Sequence, residues 1–564
     1  MVIPVASAVP VTIQTPGGSV VVDISHAGPQ GELVNPEPPT DAGFRPPTIF
    51  AAPLPVGSGA RAWGHAGAFT AVADDATAAS WNPAGLVQLE APEVSAVYRF
   101  SDRKDLHASE RSNLEVGANS YSSHELNYLS GVYPFRFDGL NTVISLSYQE
   151  AYDYTYVFTA QFSGANTGDL NTTVNNIFTE TQTNVHDGAF VDITIISDVV
   201  TETQSQVSQA LNSSLLSTLD FHQSGTIDAI SPAFAVELTP TLSMGAAINF
   251  YTDGESRGNP VMSKLHAHYT GTSDSMATIV DTRKSTAHIR WSGTMISGDA
   301  DAPVIEPIAQ TEIQQFSEDS HSTREDPYTV EGNYYEYNRT EDFFGINPTL
   351  GALWVASDRL TLGVALDLPW SGKGTQTKHV QHEVTTFNSN GVAVATDTFE
   401  SKESSEVTYS FPLYWSAGAL WRWTDRLYTS MDVSQTRWSM YSYKAEGETA
   451  INPLNSEPHE SSKLDDCWSV RVGGEYLWML SWTELPVRGG LFWEERPSIG
   501  SPDQYWGFSL GSGLSLGKEP GRAILDIAYI FEQGNDVMEA LLPDRTTYSD
   551  STKHQIFMSL IWHF

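Results

Sequence analysis

The sequence predicts an all-β fold, a transmembrane antiparallel β-barrel of about 14 strands that encloses a short helical plug near its N-terminal end. Three observations carry that prediction. From Pro92 onward the apolar residues recur with a period of two, which turns one face of each strand toward lipid and the other away from it. Short turns and long connections take turns along the chain, as they do when every second loop lies on the periplasmic side. No stretch of the 564 residues holds the uninterrupted apolar run that a membrane helix needs, so a membrane protein of this composition has to be a barrel.

Composition agrees. A mean hydropathy of -0.24 with 11% aromatic residues suits a protein that is polar on average and apolar on one face. The 68 acidic residues against 30 basic ones give a net charge of -38, which argues against nucleic acid as a partner, because the phosphate backbone demands Lys and Arg. The single cysteine, Cys467, excludes an internal disulfide and any cysteine metal cluster.

Residues 1–56 come first. No Lys or Arg precedes Arg45, so the charged start of a secretory signal is missing, although Ala6-Ser7-Ala8 looks like the small-residue end of one. The expectation is a leader cut short, then a Pro-rich, extended periplasmic tail without a fold of its own. Residues 57–90 form the plug. Gly57 to Leu86 is rich in Gly and Ala and too small-sided to build a core, so it must pack inside something larger. Asp74 and Asp75 are N-cap candidates for an Ala-rich helix running to about Trp81. Asn82 followed by Pro83 at the first helical position starts a second short helix through Leu86, with a sharp corner at Asn82-Pro83-Ala84.

Residues 91–564 supply the wall. Between Arg359 and Trp370 the apolar set is Leu360, Leu362, Val364, Leu366, Leu368 and Trp370, and the same alternation recurs at Leu242 to Phe250, Val470 to Tyr476 and Leu525 to Tyr529. Short turns are expected at Asp138-Gly139, Thr239-Pro240, Ser357-Asp358, Thr424-Asp425, 480–484 and 518–521. Longer loops are expected at 164–217, 253–342, 371–405 and 441–464. Trp370, Trp421, Trp423, Trp478, Trp506 and Trp562 suit membrane interfaces. On the last strand Ile556, Met558, Leu560, Trp562 and Phe564 face outward.

Parity sends Arg471, Glu475, Arg488, Glu494, Arg522 and Asp526 to the lumen, where a charge avoids the roughly 2 to 4 kcal/mol that a lipid-facing Arg costs near the midplane. Two readings stand for Arg471 and Arg488: contact with the carboxylate of a bound amphiphile, or an inward ladder of ion pairs. Gly507-Phe508-Ser509-Leu510-Gly511 matches a nucleophile elbow, but Ser509 lies mid-strand where that motif needs a strand-to-helix turn. His266 with His268, His379 with His382, and Asp299 with Asp301 lack the further ligands of a zinc or calcium site. Neither a metal, a cofactor nor an enzymatic activity is expected.

The run GARAWGHAGAFTAVADDATAASWNPAGL, Gly59 to Leu86, resembles the N-terminal hatch of the FadL-type outer-membrane transporters. That resemblance implies a bacterial outer-membrane channel, among lipid and lipopolysaccharide, that takes up fatty acids or hydrocarbons by passive diffusion. It makes Asn82, Pro83 and Ala84, in one segment with Phe69, the movable hatch. The ending at Trp562 and Phe564 is similar to the signal read by the barrel-assembly machinery. A related hatch occurs in PorV-like barrels, so the alternative is a shuttle that holds secreted proteins and transports no small molecule.

Overall fold

Fourteen antiparallel strands close into a ring: β1 Glu93–Ser109, β2 Ala118–Phe137, β3 Leu140–Asp153, β4 Thr226–Thr239, β5 Leu242–Asp253, β6 Tyr328–Val355, β7 Leu360–Asp367, β8 Tyr414–Thr424, β9 Leu427–Thr436, β10 Cys467–Met479, β11 Glu484–Arg496, β12 Asp503–Leu516, β13 Ala523–Met538 and β14 Thr547–His563. Each pairs with its neighbour in the ring. β14 returns to β1 through a ladder from Thr547↔Ser109 to His563↔Glu93, so no edge is left open. The computed structural model describes residues 57–564 apart from 111–113, 189–190, 255–258, 298–303, 326–327, 455–456, 481–482, 499, 518–520 and 539–546. It describes backbone alone over 164–213 and most of 273–327, and in the tail only backbone pieces at Val11–Thr15, Gly18–Val22 and Leu54–Pro55, of which the first two pair as a hairpin. The rest of the expected tail, including Ala6-Ser7-Ala8, lies outside the described residues, as do Asp299 and Asp301.

The period-two pattern does what it predicts. On β13, Leu525 and Ile527 are 45% and 50% exposed, while Asp526 and Ala528 between and beyond them are buried at 4% and 1%. An apolar outer face on a closed ladder is the form in which strands cross lipid, since every backbone group finds its partner within the wall. A single-chain barrel with an even number of strands is the outer-membrane type. Tight turns fall where expected at Asp138-Gly139, Thr239-Pro240, Ser357-Asp358 and Thr424-Asp425, whereas those expected at 480–484 and 518–521 lie partly outside the described residues. At Asp138-Gly139 both residues adopt positive φ (50° and 79°), the left-handed pair that matches strand twist in a two-residue hairpin. Trp421, Trp423, Trp478, Trp506 and Trp562 are exposed on the outer face.

Two expectations change. Three of the four long connections are not loops but further β-hairpins, built from Tyr156–Gly188 with Val191–Ser224, Val261–Ser297 with Val304–Glu325, and Trp370–Asn388 with Ala393–Phe411, while 441–464 holds only the short strand Ser442–Ala445 and is otherwise loop among the described residues. The hairpins raise the wall beyond the ring around a second core that includes Phe158, Phe221, Leu265 and Tyr334. β6 serves both storeys: its lower half pairs with β5 and β7, its upper half with Val261–Ser297 and Trp370–Asn388. The second correction is Trp370. It is buried inside and not on the lipid face, because β7 ends at Asp367 and a new strand begins after Pro369, which resets the alternation.

Candidate functional site

The plug lies across the lumen as α1 Ala60–Gly64, α2 Ala78–Trp81 and a 3-10 helix Pro83–Gln88. The Ala-rich helix is shorter than expected. Asp75 accepts from the Thr77 backbone N–H at 2.8 Å and from the Thr77 hydroxyl at 2.5 Å, a local turn that competes with helix and delays its start to Ala78. The corner forms as predicted: Asn82 Oδ1 accepts the Ala84 N–H at 3.2 Å with Pro83 at the first position. The buried Asn82 also donates to the Thr70 carbonyl at 2.8 Å and to the Ala352 carbonyl of β6 at 3.1 Å. One side chain thus joins the corner, the preceding plug loop and the wall.

The wall makes room by omitting side chains. A Cβ on Gly351 would stand 2.1 Å from Asn82 Oδ1, and one on Gly245 would stand 2.4 Å from the Pro83 carbonyl carbon, close to the Ala84 nitrogen. Gly473 and Gly490 clear the way for His65, and Gly511 for Gly64. Polar contacts hold what the glycines admit. Asp432 of β9 accepts the N–H groups of Phe69 and Thr70, both at 2.8 Å; the Thr70 hydroxyl lies 2.6 Å from that of Ser416; and Ser509 donates to the Gly64 carbonyl at 3.0 Å. Ser509 is thereby part of the plug's seat. Phe69 is fully buried, edge-on to Trp81 at 6.2 Å.

Arg488 and Arg471 part company here. Arg488 is buried in the wall, donating to Glu475 at 2.6 Å and to Asp526 at 2.5 Å, which is the ion-pair ladder. Arg61 of α1 joins from above, 2.9 Å from Asp74 and 3.8 Å from Glu475. Arg522, at the foot of β13, donates to Ser515. Next to the ladder His65 is enclosed: its Nδ1–H donates to the Arg61 carbonyl at 2.8 Å, so Nε2 accepts from the Tyr428 hydroxyl at 2.9 Å, and the two rings stack at 5.5 Å. Burial pushes this imidazole down to about 4. Arg471 instead borders open space. It donates to Glu494 at 2.9 Å and lies 5.6 Å over the Trp63 ring.

That space is a cavity of about 300 Å³ above the plug, floored by Gly57, Trp63, Ser80 and Trp81. One side is aromatic: Trp370 is sandwiched between Tyr251 at 4.0 Å and Phe411 at 4.1 Å with rings nearly parallel, and Tyr152 stacks on Phe411 at 5.4 Å. The other side carries Arg99, Arg103, Arg496 and Lys553 with Asp153, Glu494 and Glu532. Sequence reading found Arg471 but missed these cations and the aromatic column. Parity was the available signal for Arg99 and Lys553, whereas the reset after Pro369 hid Trp370.

The wall beside the cavity has a break. The β2–β3 ladder stops at Tyr128↔Gln149, above which β3 continues to Asp153 paired only with β4, and with Leu54–Pro55 at its other edge. Arg99 of β1 bridges behind it, donating to Glu150 at 2.5 Å and Asp153 at 2.7 Å. Of the predicted histidines, His268 meets Asn333, His379 meets Glu400 and His382 meets the Tyr269 hydroxyl, while His266 stacks on Tyr335 at 4.3 Å. Phe564, exposed at the base, donates its N–H to the Pro92 carbonyl at 3.0 Å.

These features define a class, a membrane barrel closed by an internal plug and holding a cavity that is half aromatic and half charged. No family model and no curated protein matches the sequence. Among solved structures the chain is similar to a FadL homologue of Pseudomonas aeruginosa, 13% identical with a TM-score of 0.45 over 91% of this chain and 100% of the other. It is also similar to the CymD monoaromatic hydrocarbon channel, 12% identical with a TM-score of 0.42 over 91% and 99%, and to the Ralstonia pickettii toluene transporter TbuX, 12% identical with a TM-score of 0.40 over 90% and 98%.

Proposed function

We propose that this barrel is an outer-membrane channel that admits hydrophobic molecules, fatty acids or hydrocarbons, by passive diffusion, with the plug as its gate and no chemical step. The observation that carries the reading is the cavity: an aromatic-lined chamber within a lipid-spanning wall, stopped below by a segment that is docked to the wall but not strung into its ladder. An apolar solute gains by leaving water for such a chamber, where a wide aqueous pore would offer it nothing. Asn82, Pro83, Ala84 and Phe69 are the part that must move, and a small shift in the docked population is enough to open a path. On the outside the barrel meets lipopolysaccharide, and Trp562 with Phe564 serves its delivery by the assembly machinery. A barrel that only held secreted proteins through its outer strands would have no use for the chamber.

A reversible lock tests the gate. With Thr70→Cys and Ser416→Cys, oxidation should pin the plug to β8, since the two hydroxyls already touch. Uptake of a hydrophobic fluorescent probe should fall on oxidation and recover on reduction, with a sugar as control. Unchanged uptake through the cross-linked barrel would remove the gate.

A further inference from the structure

The carboxylates of the cavity are not alike. Asp153 lies 2.7 Å from Arg99, Glu494 meets both Arg471 and Arg496, Glu532 meets Arg496, and Glu495 accepts the Trp468 N–H at 2.9 Å. Asp367, at the end of β7, differs from the other three that are ion-paired. Its Oδ1 accepts the Thr349 hydroxyl at 2.5 Å, and among the described residues no Lys, Arg or His forms an ion pair with it. Its neighbours are rings: Tyr414 is its partner across the ladder, and Tyr152 and Tyr251 stand within electrostatic reach. The Tyr251–Trp370–Phe411 stack continues that aromatic side of the chamber.

An ionised carboxylate held away from bulk water without a counter-charge is unfavourable, and the faces of aromatic rings attract cations. A cation brought by a ligand answers both. The geometry points to a second specificity of this cavity, for hydrophobic amines in their ammonium form, with the head group at Asp367 among Tyr152, Tyr251 and Tyr414 and the apolar body along the chamber toward Trp63 and Phe557. Arg99, Arg103, Arg496 and Lys553 line the same chamber, but Arg99 is held by Asp153 and Arg496 by Glu494 and Glu532, and none of the four forms an ion pair with Asp367, which gives the chamber two chemically distinct poles. This inference rests on the cavity being the solute chamber proposed above.

The test is a comparison of three probes of equal chain length on the purified full-length barrel in non-ionic detergent: octyltrimethylammonium, 1-octanol and octanoate, by titration calorimetry. Octyltrimethylammonium should bind roughly tenfold or more tighter than octanol, as one charge-assisted contact allows. Asp367→Asn, whose amide oxygen can still accept the Thr349 hydroxyl, should erase that preference and leave octanol within about twofold of wild type. If octanol binds but the ammonium shows no preference, or if Asp367→Asn leaves the preference intact, the amine site is overturned and the hydrophobic chamber stands. If none of the three binds, the chamber falls and the amine site with it.

Discussion

At the scale of single residues, the plug's closed shape turns on Asn82, and the wall opposite it turns on Gly351. Loss of a capping Asn costs about 0.5 to 2 kcal/mol, too little to unfold a ring of paired strands. Asn82→Ala should therefore insert normally and change the uptake rate of a hydrophobic probe relative to a sugar. Gly351→Ala puts a methyl 2.1 Å from Asn82 Oδ1, so it should reproduce that phenotype with Asn82 intact; uptake at equal barrel levels measures both, and wild-type rates in both would leave the corner with no part in gating. The two arginines should separate. Arg488→Leu strands Glu475 and Asp526 without their shared cation, a loss of about 3 to 5 kcal/mol for a buried pair, and should lower the thermal stability of the purified barrel whatever the ligand. Arg471→Leu should leave stability near wild type and weaken a fatty acid more than a hydrocarbon of equal size, because only the carboxylate uses the charge. Parity made both residues legible as inward-facing. Which of them borders the cavity was not legible, because that depends on the depth of each strand in the ring and not on its pattern.

At the scale of the element, the plug was legible in part. The Asn82-Pro83 start is a local signal and formed as read, but α1 was not anticipated, since Gly59, Gly64 and Gly67 argue locally against helix and the helix forms where the wall receives it. Docking also buries His65 between Arg61, Glu475, Arg488 and Tyr428. Its ordinary value of 6.5 falls to about 4 in the docked plug, so a released plug binds more protons between those values. The docked state is then fully favoured above pH 6.5 and loses up to roughly 3 kcal/mol as pH falls through that window toward 4. Asp74 works the other way, since burial raises it to about 6 and favours docking as pH falls; its side chain is 30% exposed, so its share is the smaller. The difference between wild type and His65→Gln isolates the imidazole. Maleimide labelling of a Thr70→Cys probe slows in both backgrounds as the thiolate is lost with falling pH, so the readout is the ratio of the rates. From pH 7 to pH 4.5 labelling with His65 present should rise relative to labelling in the His65→Gln background. Parallel profiles in the two backgrounds would show that His65 does not report docking.

At the scale of the whole molecule, the ring was legible and the upper storey was not. A strand facing lipid on one side writes its alternation plainly, as Leu525 and Ile527 do, whereas the sequence of the hairpins over 156–224 and 261–325 carries no sustained one-sided apolar pattern to read. The cavity was out of reach for a related reason: Arg99, Tyr251, Trp370 and Lys553 are far apart in the chain and meet only because β14 returns to β1. That closure also separates two roles for the outward-facing Phe564. A charge at the outer rim of a barrel costs only about 0 to 1 kcal/mol, so Phe564→Asp should hardly change the stability of a ring closed by the whole β14–β1 ladder. If Phe564 acts with Trp562 as a delivery signal, the defect belongs to assembly alone. We expect Phe564→Asp purified from inclusion bodies to refold into detergent as wild type does, judged by heat-modifiable migration, while the amount of folded barrel in the outer membrane of living cells drops several-fold. Equal loss in both settings would make Phe564 a structural residue of the seam, and no loss in cells would leave it without the signalling role.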